Sequence, residues 1–536
     1  MYRSTALLFL TLALSAQAFA QHGPERDMTE QELGAVHFPT SCAPAVQNEF
    51  ERGVALLHSF AFETAEAAFT HVAGEDPKCA MAHWGIARSF WRWGQPDAAT
   101  RERGWREIVF ANSLKPLTDR EREYIAAAAG LYRNPDANDK NRWEAYVTGM
   151  ERLHRDFPND NEATAFYADG LIRADRDEDP LHAGRREAAK LLEPLFAQEP
   201  NHPGVAHYLI HAYDKPDLAQ FGLPAARRYA LIAPSAPHAL HMPSHIFAQL
   251  GMWHEDIQSN LASLAASRSA TSSHMEDQGH EYHAMEFLMY AYLQCGREAE
   301  AKKLLDEVRS LPRVKSMYGD NADPKIYALI SYSAAYVLEL HEWVQAAELP
   351  LVPGAEFGDD TITYLARAIG AARQGDALRA RENIALIDSI YRQVVARKLP
   401  FAGWAKQEKQ EAEAWADHAA GRNDKALRLL RATANKQRTG VFGASGDLPA
   451  REMLADMLLE MKRPEQALAE YRAELKINPN RFDSLYGAGR AAEMAKHPED
   501  AAAYFQQLAN VCAGSTSTRS ELGYARRFLS QAAAKH

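Results

Sequence analysis

Apolar residues recur every three to four positions along nearly the whole chain, in stretches such as "AAFTHVA" and "ALAEYRAEL". That period lays one apolar stripe along a helix, and no stretch alternates with the period of two that a half-buried strand needs. Short Gly/Pro-rich loops, among them "RNPDANDKN" (133–141) and "GVFGASGDLP" (440–449), punctuate the stripes. The small and aromatic positions also repeat. Ala455, Ala467 and Tyr471 recur 34 residues later as Gly489, Ala501 and Phe505, with Pro479 between them. Near the other end Gly53, Ala65, Phe69 and Pro77 keep the same spacing. Small residues let paired helices approach closely, the aromatic fills the space beside them, and proline ends the second helix.

This period and pattern resemble the tetratricopeptide repeat (TPR), a helix–turn–helix unit. Further units are anchored at Ala188/Leu192/Pro200, Gly296/Ala301/Leu305, Gly375/Ala380/Ile384 and Gly421/Ala426/Leu430. The resemblance predicts an all-α, TPR-like α-solenoid, a right-handed superhelix of about twelve units. A signal segment at 1–20 and an extension at 21–44 would precede an N-terminal array at 45–315 and a C-terminal array at 316–536.

Register then gives the histidines a direction. "HALHMPSHIF" packs His238, His241 and His245 into eight residues. Positions 2, 5, 9 and 12 of the first helix of a TPR unit line the concave groove, and helical geometry agrees that they share a face. Pro200 sets His207, His211 and Asp214 on that face; Gly251 does the same for His238, His241 and His245, and Ala301 for His283, Glu286 and Tyr290. Two H-x-x-x-H pairs on adjacent helices, joined by a third helix, form a candidate metal site. Its ligand set is His207, His211, His238, His241, His245, His283, Glu286 and Asp214, suited to zinc, copper or iron and large enough for two ions. Neither pair reads H-E-x-x-H, so a zincin arrangement is missing. The competing readings are a groove whose imidazoles hydrogen-bond a peptide or small anion, and packing alone. His202, His254, His274 and His280 fall off the face. Pro237 suits the start of a helix, whereas Pro243 either kinks that helix or starts a new one.

Composition changes this picture little. A formal net charge of −11 over 536 residues, without a basic stripe, argues against nucleic acid. The segment "MYRSTALLFLTLALSAQAFAQ" has Arg3, an apolar run from Ala6 to Leu14 and the A-x-A site Ala18-Phe19-Ala20, which predicts a secreted or periplasmic protein cleaved after Ala20. No other apolar run is long enough to span a bilayer. In an oxidising compartment Cys42 and Cys79 would pair, and Cys295 reads as a small buried residue. Trp84, Arg88 and Trp91 read either as a ligand-stacking stripe or as core. Glu162 and Asp169 would extend the polar site. No P-loop, nucleophile elbow or dinucleotide fingerprint occurs.

The blocks "TSCAP", "LLHSF", "CAMAHWGIA", "NHPGVAHYLIHAYDKP", "APHALHMPSHIFAQLGMW", "EYHAMEFLMYAYLQCGR" and "LPAREMLADMLLE" together look like a bacterial group of secreted TPR proteins, distantly similar to the tetratricopeptide repeat protein 38 type. The resemblance spans almost all of the mature chain and implies the fold, but brings no activity. Two function classes follow from the residues. One is a scaffold that takes a protein or peptide in its concave groove, with a histidine-rich metal site contributing. The other is a metal-dependent hydrolase or oxidoreductase in which Glu286 or Asp214 acts as general base.

Overall fold

The computed structural model describes residues 30–92, 96–115, 118–175, 179, 181–270, 276–314, 323–399, 401–436, 445–446 and 448–534. The expected signal segment and His274 lie outside these. Among the described residues all regular structure is helical. Each helix packs on its successor, and many also pack on the helix after that, so first helices stack on first helices as in a solenoid. The small–aromatic spacing works as anticipated. A Cβ on Gly53 or Gly85 would sit 2.8 or 2.4 Å from the Phe69 ring, so both glycines make room for one phenylalanine. Gly489 does the same for Phe505 at 2.4 Å.

The site-bearing helices are labelled here in chain order. Helix α1 is Gln47–His58, α2 Asn161–Ala174, α3 Pro203–Tyr213, α4 Pro237–His241, α5 Pro243–Gln249, α6 Trp253–Ala270 and α7 Glu276–Gln294. Asp160 caps α2 by accepting from the Ala163 N–H at 3.1 Å. α3 begins at Pro203 behind an unusual cap, the His202 imidazole, whose Nδ1 accepts from the Val205 N–H at 3.2 Å. Pro237 opens α4. The chain keeps helical torsions through Met242 (φ −53°, ψ −33°), and the break falls at Pro243, whose missing N–H interrupts the ladder. A separate helix thus starts at Pro243, as one reading of this proline had it, while His241 ends the preceding helix rather than sitting on a turn.

One core runs from Leu33 to Phe247, a smaller one from Ala248 to Ala335, and a third from Ile326 to Ala525. A buried ion network ties α7 to the C-terminal helices. Arg481 donates to Glu452 at 2.7 and 2.8 Å and to the Tyr290 hydroxyl at 2.6 Å, and pairs with Glu339 at 2.8 Å. Tyr290, placed on the groove face by register, is spent here. Cys42 and Cys79 form a disulfide, and Cys295 and Cys512 are buried thiols. No helix is long and apolar enough to cross a membrane among the described residues.

Candidate metal centre

The three helices predicted to share a face do converge. Ring centroids lie 4.8 Å apart for His207/His238, 4.7 Å for His207/His211, 4.9 Å for His241/His245 and 4.4 Å for His241/His283. Two groups result, His207/His211/His238 and His241/His245/His283, and within each the ligand atoms lie within 4.8 Å of one another. His211 to His245 spans 6.2 Å and His238 to His241 6.1 Å, so the trios adjoin. The face is closed rather than an open groove. Phe60 lies 4.3 Å from His207 and 5.1 Å from His238, while Phe287 covers His241 and His245 at 4.8 and 4.7 Å. His207, His211, His238, His241 and His245 are buried; His283, Glu286 and Asp214 are half-buried at the edge.

Hydrogen bonds on the outer ring nitrogens settle the tautomers. His207 Nδ1–H donates to the His58 carbonyl at 2.6 Å. His245 Nδ1–H donates to Asp214 Oδ2 at 2.9 Å, and the other Asp214 oxygen accepts from Gln249 at 3.0 Å. His241 Nδ1 faces Asn260 Oδ1 at 2.6 Å. The Asn260 amide is oriented by its own donors, which reach the Asp256 carbonyl at 3.0 Å and Asp256 Oδ1 at 2.7 Å, so His241 must donate. His283 Nδ1 points to Glu286 Oε2 at 3.4 Å. Orienting partners of this kind are what metal-ligating imidazoles use to present the opposite nitrogen.

The inner nitrogens meet. His241 Nε2 and His245 Nε2 are 3.0 Å apart, as are His207 Nε2 and His238 Nε2. With both Nδ1 atoms of the first pair acting as donors, two lone pairs face each other, which is repulsive unless a cation lies between them. Nitrogens bound to one ion at about 2.0–2.1 Å lie roughly 2.9 Å apart at a right angle and roughly 3.3 Å apart at the tetrahedral angle, so the spacing fits a shared ion. Burial, reinforced by His283 and His245, holds His241 well below the ordinary imidazole value. Burial with His207 and His245 does the same to His211, and burial with His207 and His280 to His238. Burial brings His207 down to about 3. Neutral imidazoles are the ligating form.

The structure brings His207, His211, His238, His241, His245 and His283, which register set on one face, together as two adjoining trios. The two carboxylates divide. Asp214 has both oxygens committed to His245 and Gln249, so it orients the His245 ring. Burial would raise it, but His245 and Gln249 bring it to about 2. Glu286 shares only one long bond with His283 and remains at the edge. Two histidines set aside by register belong to the surroundings. His280 packs 5.0 Å from His238 with its Nδ1 buried and lacking a hydrogen-bond partner, as does His238 Nδ1. His202 joins His58 on Glu162, whose oxygens accept from His202 Nε2 at 3.0 Å and His58 Nε2 at 2.8 Å. The Tyr208 hydroxyl donates to His58 Nδ1 at 2.9 Å, and Val205 N–H to His202 Nδ1, so this third cluster is a satisfied hydrogen-bond network. It supports the site by holding the residue whose carbonyl receives His207. Trp84, Arg88 and Trp91 are core, and Asp169 is bound to Arg88 and Arg173 at 3.3 and 2.7 Å.

The signals for the missed residues were faint but present. Asp256, Asn260, Ser263 and Ser267 recur at helical spacing on the buried face of α6, an unusual polar stripe. Ser259 and Ser263 donate to the carbonyls of Leu240 and Pro237 at 2.5 and 2.8 Å, which fastens α4 beside the break.

No family model and no curated protein matches the chain. Among solved structures it is similar to a tetratricopeptide repeat protein from Parabacteroides merdae, at 13% identity and a TM-score of 0.28, over 55% of this chain and 98% of that one. It is also similar to human IFIT1 dimers with m7Gppp-AAAA and with PPP-AAAA. Those matches are 12% and 10% identical, with TM-scores of 0.36, over 81% of this chain and 90% and 91% of those. The fold is a TPR-like solenoid. At these TM-scores the likenesses carry no argument, and the chemistry of the site rests on its own residues.

Proposed function

We propose that this protein is a metal-binding TPR scaffold whose N-terminal array holds transition-metal ions on the imidazoles of α3, α4, α5 and α7. The observation that carries this is the His241/His245 pair: two Nε2 lone pairs 3.0 Å apart, each fixed inward by a donor bond on the opposite nitrogen. An all-imidazole donor set with carboxylates held one bond away favours zinc, copper or iron over magnesium or calcium. The scaffold presents this centre to a protein or peptide at the half-buried edge formed by His283, Glu286 and Asp214. The Cys42–Cys79 disulfide supports a periplasmic or secreted setting, in keeping with the Ala18–Ala20 cleavage motif.

A second reading, a metal-dependent hydrolase or oxidoreductase, is favoured by one feature. Glu286 is a carboxylate at the edge of the His241/His245/His283 trio that is not consumed by its hydrogen bonds, as a general base requires. Metal analysis of the purified protein, repeated on a His211→Ala/His245→Ala double variant, tests the shared premise. Stoichiometric metal in the parent that is lost in a variant with unchanged circular dichroism supports it. No bound metal after exposure to zinc, copper and iron in turn would sink it.

A further inference from the structure

We infer that the two histidine trios are unequal ion sites, a closed one at His207/His211/His238 and an open one at His241/His245/His283 that takes a small monoanion beside Glu286. This rests on the metal-binding reading above and goes beyond it by naming which ion exchanges ligands and for what.

Accessibility separates the trios. The first lies wholly among buried groups: Phe60, Tyr229, stacked 5.1 Å from His207, and His280. His280 closes it from the far side, its ring packed 5.0 Å from that of His238. A closed set of neutral nitrogens suits a resident ion. The second trio reaches the edge through His283, whose side chain is 17% exposed, and Glu286, at 22%.

Charge then selects the ligand. Three neutral imidazoles leave the full charge of a divalent ion in place. The nearest fixed anion, Asp214, acts only through the His245 ring, since both its oxygens are already bonded. Phe287 packs 4.7–5.3 Å from the rings of His241, His245 and His283, so a ligand entering beside them must be small. Water that loses its proton to solvent at this edge would supply hydroxide as such a monoanion. Glu286, hydrogen-bonded to His283 Nδ1, places a negative charge near this position and weakens its hold on a second anion.

Cobalt(II) loading of the full chain, counted by metal analysis and titrated with azide under visible spectroscopy, tests this. The expected result is two cobalt ions per chain, with azide changing the bands of one. His283→Ala should abolish the azide response, whereas His211→Ala should preserve it. Glu286→Gln, an isosteric change at a half-buried edge position, should retain both ions and bind azide several-fold more tightly. Two ions with no azide response, a single ion, equal loss of response in His283→Ala and His211→Ala, or unchanged azide affinity in Glu286→Gln would overturn the inference while leaving metal binding intact. No retained cobalt in the parent would overturn the metal reading itself.

Discussion

Glu162→Gln is a small change with a large expected cost. The carboxylate is buried and accepts from two imidazole N–H groups, His58 Nε2 at 2.8 Å and His202 Nε2 at 3.0 Å. A glutamine of the same shape offers one acceptor and one donor. Its amide N–H would meet an imidazole N–H, so one ring must either leave a buried donor unsatisfied or change tautomer. A tautomer change at His202 strands the Val205 N–H, and one at His58 forces the Tyr208 hydroxyl, which now donates to Nδ1, to accept instead. Two charge-assisted bonds are worth about 1.5–3 kcal/mol each, and a stranded buried group costs about 1–3 kcal/mol. With one neutral bond regained, the variant should lose about 3–5 kcal/mol, the range seen when one member of a buried pair is removed.

Urea unfolding followed by tryptophan fluorescence reads this directly, because Trp84, Trp91 and Trp143 are buried in the same core. The effect also has a pH signature. Burial alone would raise Glu162, but His202 and His58 outweigh it and hold the carboxyl far below the usual range. Its contribution is therefore fully present above the unfolded value of about 4.3 and is lost as pH falls below that toward the folded value. The stability gap between parent and variant should narrow only in that acid window. A loss under about 1 kcal/mol at neutral pH would refute the assignment of Glu162 as the keystone of this network.

Four further outcomes are expected. Asp214→Ala should weaken metal binding by about 10–100-fold in a competition titration, because His245 loses its orienting acceptor while the fold persists. Removing the disulfide by Cys42→Ser/Cys79→Ser should cost about 4 kcal/mol in calorimetric or denaturant unfolding, from the loop closed by a sequence separation of 37. Arg481→Leu should cost about 3–5 kcal/mol in urea unfolding, since it leaves Glu339 and Glu452 as buried, uncompensated carboxylates. The ion-free protein should be acid-labile below about pH 6.5: burial brings His207 and His280 to about 3, so their stabilisation is present above the unfolded value and falls by roughly 2 kcal/mol each by pH 5. Metal loading should move that acid transition, followed by circular dichroism, to lower pH.

The helical period and the register of His207, His211, His238, His241, His245 and His283 were legible because steps of three and four residues fix a face without tertiary knowledge. The partners of these rings were not. His207 is held by a backbone carbonyl, which no side-chain pattern encodes, and His58 reaches it only because Gly204 leaves space: a Cβ there would lie 2.3 Å from the His58 ring. His280 lies one turn before His283, just outside the repeat positions used to assign the face. The closure of the groove depends on Phe60 and Phe287, apolar residues that carry no sequence signal of lying over imidazoles. Asn260 was recoverable in principle, since its polar stripe with Asp256, Ser263 and Ser267 interrupts an apolar face.

X-ray absorption at the metal edge of the protein as isolated tests the central claim most directly. Imidazoles from three chain segments holding the ions predict a first shell of nitrogen at about 2.0–2.1 Å, with the outer-shell scattering of about three rings per ion. Loss of that outer-shell pattern in the His211→Ala/His245→Ala variant should follow. A shell dominated by sulfur, or by oxygen without imidazole scattering, would contradict the assignment.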